Sequence, residues 1–152
     1  MHEQSTLPVL VADDDLDDCL LIQEAFRETR ASTPLHFVHN GVELLDYLKR
    51  RAPYTDSRRY PRPGLILLDL NMPLMDGREA LTAIKSDPEL RMMPVVVLTT
   101  SAAQEDIRRC YASGVNAFVS KPTSFSELVD QMQTLGHHWL DLVALPDDAP
   151  SP

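Results

Sequence analysis

Five aspartates follow an apolar run near the N-terminus, where residues 10–18 read LVADDDLDD. Carboxylates at this density repel one another when they are ionised, and a shared cation relieves that repulsion. The pattern therefore predicts a cation bound to some of these five side chains: Asp13, Asp14, Asp15, Asp17 and Asp18.

Reactive polar residues also stand at the ends of three later apolar runs. Asp69 ends LILLD, Thr99 follows VVVL, and Lys121 follows AFVS. Mg2+ prefers oxygen ligands, binds through one or two carboxylates, and takes phosphate oxygens from a substrate. Lysine and threonine supply a positive charge and a hydroxyl donor for phosphate, and a carboxylate can itself be phosphorylated. The set predicts a Mg2+-assisted phosphoryl acceptor with an aspartate nucleophile.

A structural explanation competes for some of these acids. An aspartate after a strand often caps the next helix, and acids in a first helical turn contribute about 0.3–1 kcal/mol each through the helix dipole. The acids within residues 15–18 fit that role. Burying Asp13, Asp14 and Asp69 side by side without a cation would be costly, so those three favour a metal site.

The hydrophobic pattern predicts five strands that alternate with five helices. The strands are short, apolar and rich in β-branched residues, at 8–12, 35–38, 64–70, 94–98 and 117–120. Apolar residues between them recur at spacings of three and four, and Asp76, Ser101 and Ser124 each start a capping-box pattern. The alternation predicts an α/β fold with a doubly wound parallel sheet, helices on both faces, and ligands beyond the carboxyl ends of the strands.

Composition limits the function classes. The 152 residues are enough for one domain with a substantial core. A net charge of -9 argues against nucleic-acid binding, and no apolar stretch reaches the roughly 20 residues that cross a bilayer. The N-terminus lacks a secretory pattern, so we expect a cytoplasmic protein in which Cys19 and Cys110 are reduced core residues.

Four motifs in order, VADD, LILLDLNMPLMDG, VVVLTTS and VSKP, resemble the receiver domain of two-component response regulators over residues 8–135. The resemblance implies a five-stranded, flavodoxin-like sheet of order 2-1-3-4-5. It also implies that Asp69 accepts a phosphoryl group from the phosphohistidine of a histidine kinase. One Mg2+ per chain would be held by Asp13, Asp14, Asp69 and the backbone carbonyl of Asn71, and the Lys121–Pro122 peptide would be cis.

Further roles follow from the same resemblance. Thr99 would hydrogen-bond the phosphoryl group and Lys121 would pair with it. Thr99 and Phe118 would form the conformational switch, with Phe118 at a position where many receivers have tyrosine. Asn71 and Ser101 would tune the loss of the phosphoryl group to water, and their small polar side chains predict a moderate lifetime. Such a protein is no enzyme beyond catalysing its own phosphorylation and dephosphorylation.

The C-terminus carries five apolar residues at spacings of four, three, four and three: Leu128, Met132, Leu135, Trp139 and Leu142. This is the period of about 3.5 residues at which helices pair. We expect a homodimer in which Leu135, Trp139 and Leu142 contact the partner. If Gly136 ends the helix, the segment instead folds back onto its own domain.

The predicted organisation is an N-terminal tail at 1–7, the receiver at 8–135, an extension at 136–146 and a disordered tail at 147–152. A Pro- and Arg-rich loop at 52–63 is expected at the end of the sheet opposite the aspartates. The LDLNMPLMDGREAL motif, this loop and the HHWLDLVALP end resemble single-domain regulators paired with phytochrome-type histidine kinases. That resemblance implies a light-regulated kinase, or a phosphatase, as the partner.

Three other interpretations of the acidic residues agree less well with the sequence. A calcium loop that begins at Asp13 would place Asp18 where a glycine is required, and a strand rather than a helix precedes it. A haloacid-dehalogenase-like phosphatase needs a second acid two residues after its nucleophile, where this chain has Asn71. A flavodoxin-type cofactor site would place phosphate against five aspartates. A relay or phosphate sink without a dedicated output remains an alternative role for the same chemistry.

Overall fold

The computed structural model describes residues 7–100 and 103–142. Strands and helices alternate along the chain, and the last helix continues into a π-helical turn. Their bounds are β1 Val9–Ala12, α1 Leu16–Thr29, β2 Leu35–Val38, α2 Gly41–Leu48, β3 Leu65–Leu68, α3 Gly77–Ser86, β4 Val95–Thr99, α4 Gln104–Ser113, β5 Ala117–Ser120, α5 Phe125–Gly136 and the turn His137–Leu142. Ser101 and the 147–152 tail lie outside the described residues.

The five strands form one parallel sheet of order β2-β1-β3-β4-β5, which confirms the predicted fold. β1 and β3 are direct neighbours, and their last residues, Ala12 and Leu68, pair with each other. Asp13 and Asp69 each follow the end of one of these strands, so the register itself brings the two aspartates together. The Asp69 backbone N–H donates to the Ala12 carbonyl over 2.9 Å and keeps this register past the strand end.

Two apolar cores lie on the two faces of the sheet. Alternate residues along β1 point to opposite sides, so Leu10 joins the core under α2 and α3 while Val11 joins the core under α1 and α5. Every residue of β1, β3 and β4 is buried, as expected for central strands covered on both faces. Cys19 and Cys110 are both buried and free, as predicted.

Helix starts agree with the sequence in two of three predicted places. Asp76 forms a complete capping box with Glu79 at the start of α3, and the Ser124 hydroxyl accepts the Glu127 N–H at the start of α5. The predicted box at Ser101 is wrong. Helix α4 begins two residues later than that pattern requires, with Ala103 at the N-cap and no side-chain capping bond.

The C-terminal segment does not break at Gly136, and beyond it the chain is no longer a regular α-helix. The chain stays helical through Gly136 and widens into the π turn His137–Leu142. A π turn spans about five residues rather than four, so Leu140 follows Leu135 into the core and Trp139 is only half-buried beside them. Leu140, which the 3.5-residue pattern did not include, is thus a core residue of the extension.

An ion pair fastens this turn to the neighbouring helix α1. The Arg30 guanidinium, at the end of α1, donates two hydrogen bonds of 2.7 and 2.9 Å to the Asp141 carboxylate. Arg30 passes directly over Gly136, where a Cβ atom would overlap its side chain. Gly136 therefore leaves room for the Arg30–Asp141 ion pair instead of ending the helix.

The Arg-rich loop before β3 is anchored rather than freely solvated. The rings of Tyr54 and Tyr60 lie 5.2 and 5.8 Å from the buried ring of Tyr47, and the Tyr47 hydroxyl donates to the Pro61 carbonyl over 2.8 Å. The loop leads into the N-terminal end of β3, at the edge of the sheet away from Asp69. None of the helices that the structure describes has the length and apolar character needed to cross a membrane.

Candidate metal and phosphoryl site

Three carboxylates meet at the C-terminal ends of the strands. Asp13 and Asp69 are 2% and 7% exposed, whereas Asp14 is open to solvent. One oxygen from each of the three lies within 4.8 Å of the others. A set of carboxylate oxygens that is buried on one side and open on the other suits a hard divalent cation that keeps part of its water shell. The residues predicted from the sequence therefore fit Mg2+.

Lys121 balances the negative charge of this cluster. It follows β5, and its backbone N–H donates to the Thr99 carbonyl over 2.9 Å. Its Nζ contacts Oδ2 of Asp13 at 2.8 Å, of Asp18 at 2.6 Å and of Asp69 at 3.0 Å. Burial lowers the pKa of the Lys121 ammonium, but these three carboxylates outweigh burial and raise the pKa above its ordinary value.

The two oxygens of Asp69 have different partners. Oδ1 accepts the Thr99 hydroxyl at 2.9 Å and the Asn71 backbone N–H at 3.1 Å. Oδ2 accepts the Lys121 ammonium at 3.0 Å. The carboxylate is thus fixed in orientation by neutral donors on one oxygen and by a cation on the other.

Asp13 is the most buried acid in the site. Oδ1 accepts the Asp15 N–H at 2.9 Å, while the backbone carbonyl of Asp13 contacts Nδ1 of His39 at 3.0 Å. Burial raises the pKa of Asp13 from 3.8 to about 6, although hydrogen bonds from Lys121 and Asp15 oppose the rise. A bound divalent cation would favour the ionised carboxylate, because the metal ligand is the deprotonated form.

Helix α3 begins against the backbone of Asp69. A Cβ atom at Gly77 would overlap the Asp69 carbonyl oxygen, so only glycine fits at this close approach. The sequence analysis assigned no role to Gly77 in the site. The Asp76-Gly77 dipeptide after the strand is typical of a turn, but it does not predict the contact with Asp69.

The remaining predicted residues lie around this centre. Phe118, in β5, is half-buried against the core under α2 and α3. Asn71 has an exposed side chain. Within the described residues the cis peptide bond is Ala52–Pro53, so the cis form expected for Lys121–Pro122 is wrong.

One acid in the site was not assigned to it from the sequence. Asp18 was interpreted as a helix-start residue, yet its carboxylate makes the shortest contact to Lys121. The two residues are 103 positions apart, so no local pattern predicts their contact.

A family model described as the response regulator receiver domain matches residues 9–133. The chain belongs to the response regulator receiver family. The predicted receiver fold and response regulator function are confirmed, and the phosphatase alternative is not favoured.

Relatives of this receiver match it over nearly its whole length. The response regulator Rcp1 from Synechocystis sp. is 36% identical over 148 residues, which cover 96% of this chain and 99% of the relative. The crystal structure of the phosphorylated cyanobacterial phytochrome response regulator RcpA superposes with a TM-score of 0.86 at 36% identity, over 95% of this chain and 100% of that one. The Mn2+-bound form of Rcp1 has a TM-score of 0.83 at 35% identity, over 93% and 99%.

Proposed function

We propose that this receiver accepts a phosphoryl group on Asp69 from the phosphohistidine of a sensor histidine kinase, in a reaction that requires Mg2+. The observation that carries the proposal is the set of partners of one carboxylate. Lys121 contacts one oxygen of Asp69, Thr99 contacts the other, and Asp13 and Asp14 lie within metal-sharing distance.

In the proposed reaction, an Asp69 oxygen forms a bond to phosphorus as the bond from phosphorus to the histidine nitrogen breaks. Negative charge then lies on the three phosphoryl oxygens. The Lys121 ammonium moves from Asp69 Oδ2 to one of these oxygens and neutralises part of that charge. Bound Mg2+, held by Asp13, Asp14, Asp69 and the Asn71 carbonyl, would supply the further positive charge.

Thr99 and Phe118 convert phosphorylation into a conformational signal in this proposal. The Thr99 hydroxyl leaves Asp69 Oδ1 for a phosphoryl oxygen, and the movement of its side chain opens space beside β5 into which Phe118 turns. Phe118 has no hydroxyl, so the switch operates through packing. Asn71 and Ser101 set a moderate phosphoryl lifetime.

A phytochrome-type histidine kinase is the proposed partner. Support comes from the likeness to RcpA, a cyanobacterial phytochrome response regulator, and to RPA3017, a response regulator in red light signalling of R. palustris, at 34% identity and a TM-score of 0.85. We place this signalling in the cytoplasm and assign its output to protein contacts, because a net charge of -9 disfavours binding to nucleic acid. The Asp69 phosphate is the signal, and the protein turns over no other substrate.

We further propose that the protein forms a homodimer through the C-terminal extension. Trp139 offers its half-exposed ring as the main contact, whereas Leu135 supports the extension from the protein's own core. The side chain of Leu142, the third predicted contact, lies outside the described part of the structure. Light scattering at micromolar concentration is expected to give the mass of two chains, and Trp139→Ala the mass of one. A wild-type mass equal to one chain would exclude the dimer.

Phosphotransfer from labelled phytochrome-type histidine kinases tests the main proposal. We expect labelled wild-type protein with Mg2+, no label with EDTA, and no label on Asp69→Asn. Asp14→Ala should raise the Mg2+ concentration needed by about tenfold to a hundredfold, as loss of a metal-site partner commonly does. Label that survives on Asp69→Asn would move the acceptor to another residue. Unchanged Mg2+ dependence in Asp14→Ala would remove Asp14 from the metal site.

A further inference from the structure

Lys121 is shared among three carboxylates, and two of them are the proposed metal ligands Asp13 and Asp69. The third, Asp18, lies outside the trio of acids whose oxygens meet within metal-sharing distance. Its Oδ2 is nevertheless the nearest oxygen to the Lys121 Nζ, at 2.6 Å against 2.8 and 3.0 Å. An ammonium has three N–H donors, so this arrangement uses all of them.

The ammonium and a divalent cation compete for the same oxygens. Lys121 contacts Oδ2 of Asp13 and of Asp69, and a metal bound to either carboxylate draws on its lone pairs. If Asp13 and Asp69 were its only partners, Lys121 would lose hydrogen bonds whenever the metal bound. Asp18 is the one carboxylate that Lys121 can keep in both conditions.

Asp18 is held firmly enough to serve as that fixed partner. It lies in the first turn of α1, and its backbone N–H donates to the Asp15 carboxylate over 3.2 Å. Its side chain is 31% exposed, whereas the Lys121 side chain is 11% exposed. The pair therefore lies at the rim of the site, where the lysine enters from β5.

We propose that Asp18 is a positioning residue that anchors the Lys121 ammonium beside Asp69 while the metal and the phosphoryl group take over its other two carboxylates. The inference rests on the proposed phosphorylation of Asp69. Without Asp18, Lys121 loses its fixed point once Mg2+ is bound, and it reaches the incoming phosphoryl group less often.

The neighbouring acid Asp17 is a matched control. It lies in the same first turn of α1, it is exposed, and its side chain has no ion-pair partner within residues 7–100 and 103–142. Asp17→Asn and Asp18→Asn therefore remove the same charge at nearly the same place, but only the second removes a Lys121 contact.

The direction of the rate change separates anchoring from a general charge effect. With phosphoramidate as donor and saturating Mg2+, removal of a negative charge alone lowers repulsion of the anionic donor and leaves the rate unchanged or faster. Loss of the anchor slows it. We expect Asp18→Asn to slow phosphorylation by about fivefold to fiftyfold, which lies within the range of coupling between contacting groups. Asp17→Asn should stay within about twofold of wild type, and Asp18→Glu, which keeps a carboxylate within reach, should recover most of the rate.

A second background shows whether Asp18 acts through Lys121. In Lys121→Gln, Asp18→Asn should cause no further slowing, because the anchored group is already absent. Urea unfolding of the metal-free single and double variants should also show a coupling between Asp18 and Lys121 of at least about threefold in the unfolding equilibrium constant. The same double-mutant cycle with Asp17 in place of Asp18 should show no coupling to Lys121.

The outcomes of the two proposals are distinct. If wild-type protein takes no phosphoryl group in Mg2+, the proposed function fails. If wild type is phosphorylated but Asp18→Asn reacts at the wild-type rate or faster, the anchoring role fails and the proposed function stands. Equal slowing by Asp18→Asn in the wild-type and Lys121→Gln backgrounds would also overturn it.

Discussion

The Thr99 hydroxyl donates a 2.9 Å hydrogen bond to Oδ1 of Asp69, and both side chains are buried. The bond joins the last residue of β4 to the residue just after β3, on neighbouring strands of the sheet. A chemical change on Asp69 therefore alters a hydrogen bond at the end of β4, from which the chain continues toward α4.

Thr99→Val tests the value of this bond, because valine keeps the shape of the side chain and removes the donor. We expect the free energy of unfolding to fall by about 1 kcal/mol, the usual net value of one intramolecular hydrogen bond. We also expect Asp69 to accept phosphoryl groups more slowly and without a conformational response. Urea unfolding measures the stability, phosphotransfer kinetics measure the rate, and amide hydrogen exchange with and without phosphorylation measures the conformational response. Thr99→Ser is the control, and a valine variant that equals wild type in all three would contradict this role.

Asp13→Asn tests the electrostatic cost of clustering these carboxylates in the metal-free protein. The pKa of Asp13 is raised to about 6, so in the window from about pH 4 to 6 the folded protein binds more protons than the unfolded chain. Stability of the metal-free protein therefore falls as the pH rises through this window, by about 3 kcal/mol at most, at about 1.4 kcal/mol per tenfold change in proton affinity.

Asp13→Asn lacks that titration. In EDTA near pH 7 it should be more stable than wild type, and the gap should shrink as the pH falls to about 4. Saturating Mg2+ should also reduce the gap, because only wild type keeps the ligand. Urea unfolding at the two pH values, with and without Mg2+, measures this. A gap of the same size at both pH values in EDTA would contradict the prediction.

The pair Arg78–Asp106 is expected to hold α3 and α4 together. The Arg78 guanidinium donates bonds of 2.6 and 2.7 Å to the two oxygens of Asp106, and the side chains are 20% and 13% exposed. Asp106→Ala should cost about 1.5–3 kcal/mol of unfolding free energy, the value of hydrogen bonds to charged groups. Glu105→Ala, an exposed acid in the same helical turn, is the control for the helix dipole. Equal losses in the two variants would show that the pair itself contributes nothing.

Asp141→Asn should release the C-terminal turn. Arg30 lowers the pKa of Asp141, so the ion pair stabilises the fold above about pH 4 and is lost as the pH falls through the lowered pKa. Because the carboxylate is 35% exposed, we expect a loss of only about 0.5–1 kcal/mol. Trp139 is the single tryptophan, so its emission should shift to the red in the variant. Asp130→Asn, on the exposed side of α5, should not shift it.

Local pattern predicted most of the elements and failed where a competing arrangement was available. The strand at 117–120 was predicted to the residue, and β3 ends two residues before its apolar run does. The Ser101 pattern has the spacing of a capping box but stands ahead of the helix. The 3.5-residue pattern at the C-terminus did not include Leu140, which enters the core because the π turn changes the number of residues per turn.

The sequence alone determined the alternating fold and the identity of the reactive groups, because burial of apolar side chains sets the strand and helix periods and strand ends collect at one edge of a parallel sheet. The tertiary structure alone decided which groups touch. Lys121 meets Asp18 across 103 residues, and Arg30 meets Asp141 across 111. Such contacts depend on the packing of α1 against α5 and on the register of the sheet, and these are set by the whole core rather than by any local segment.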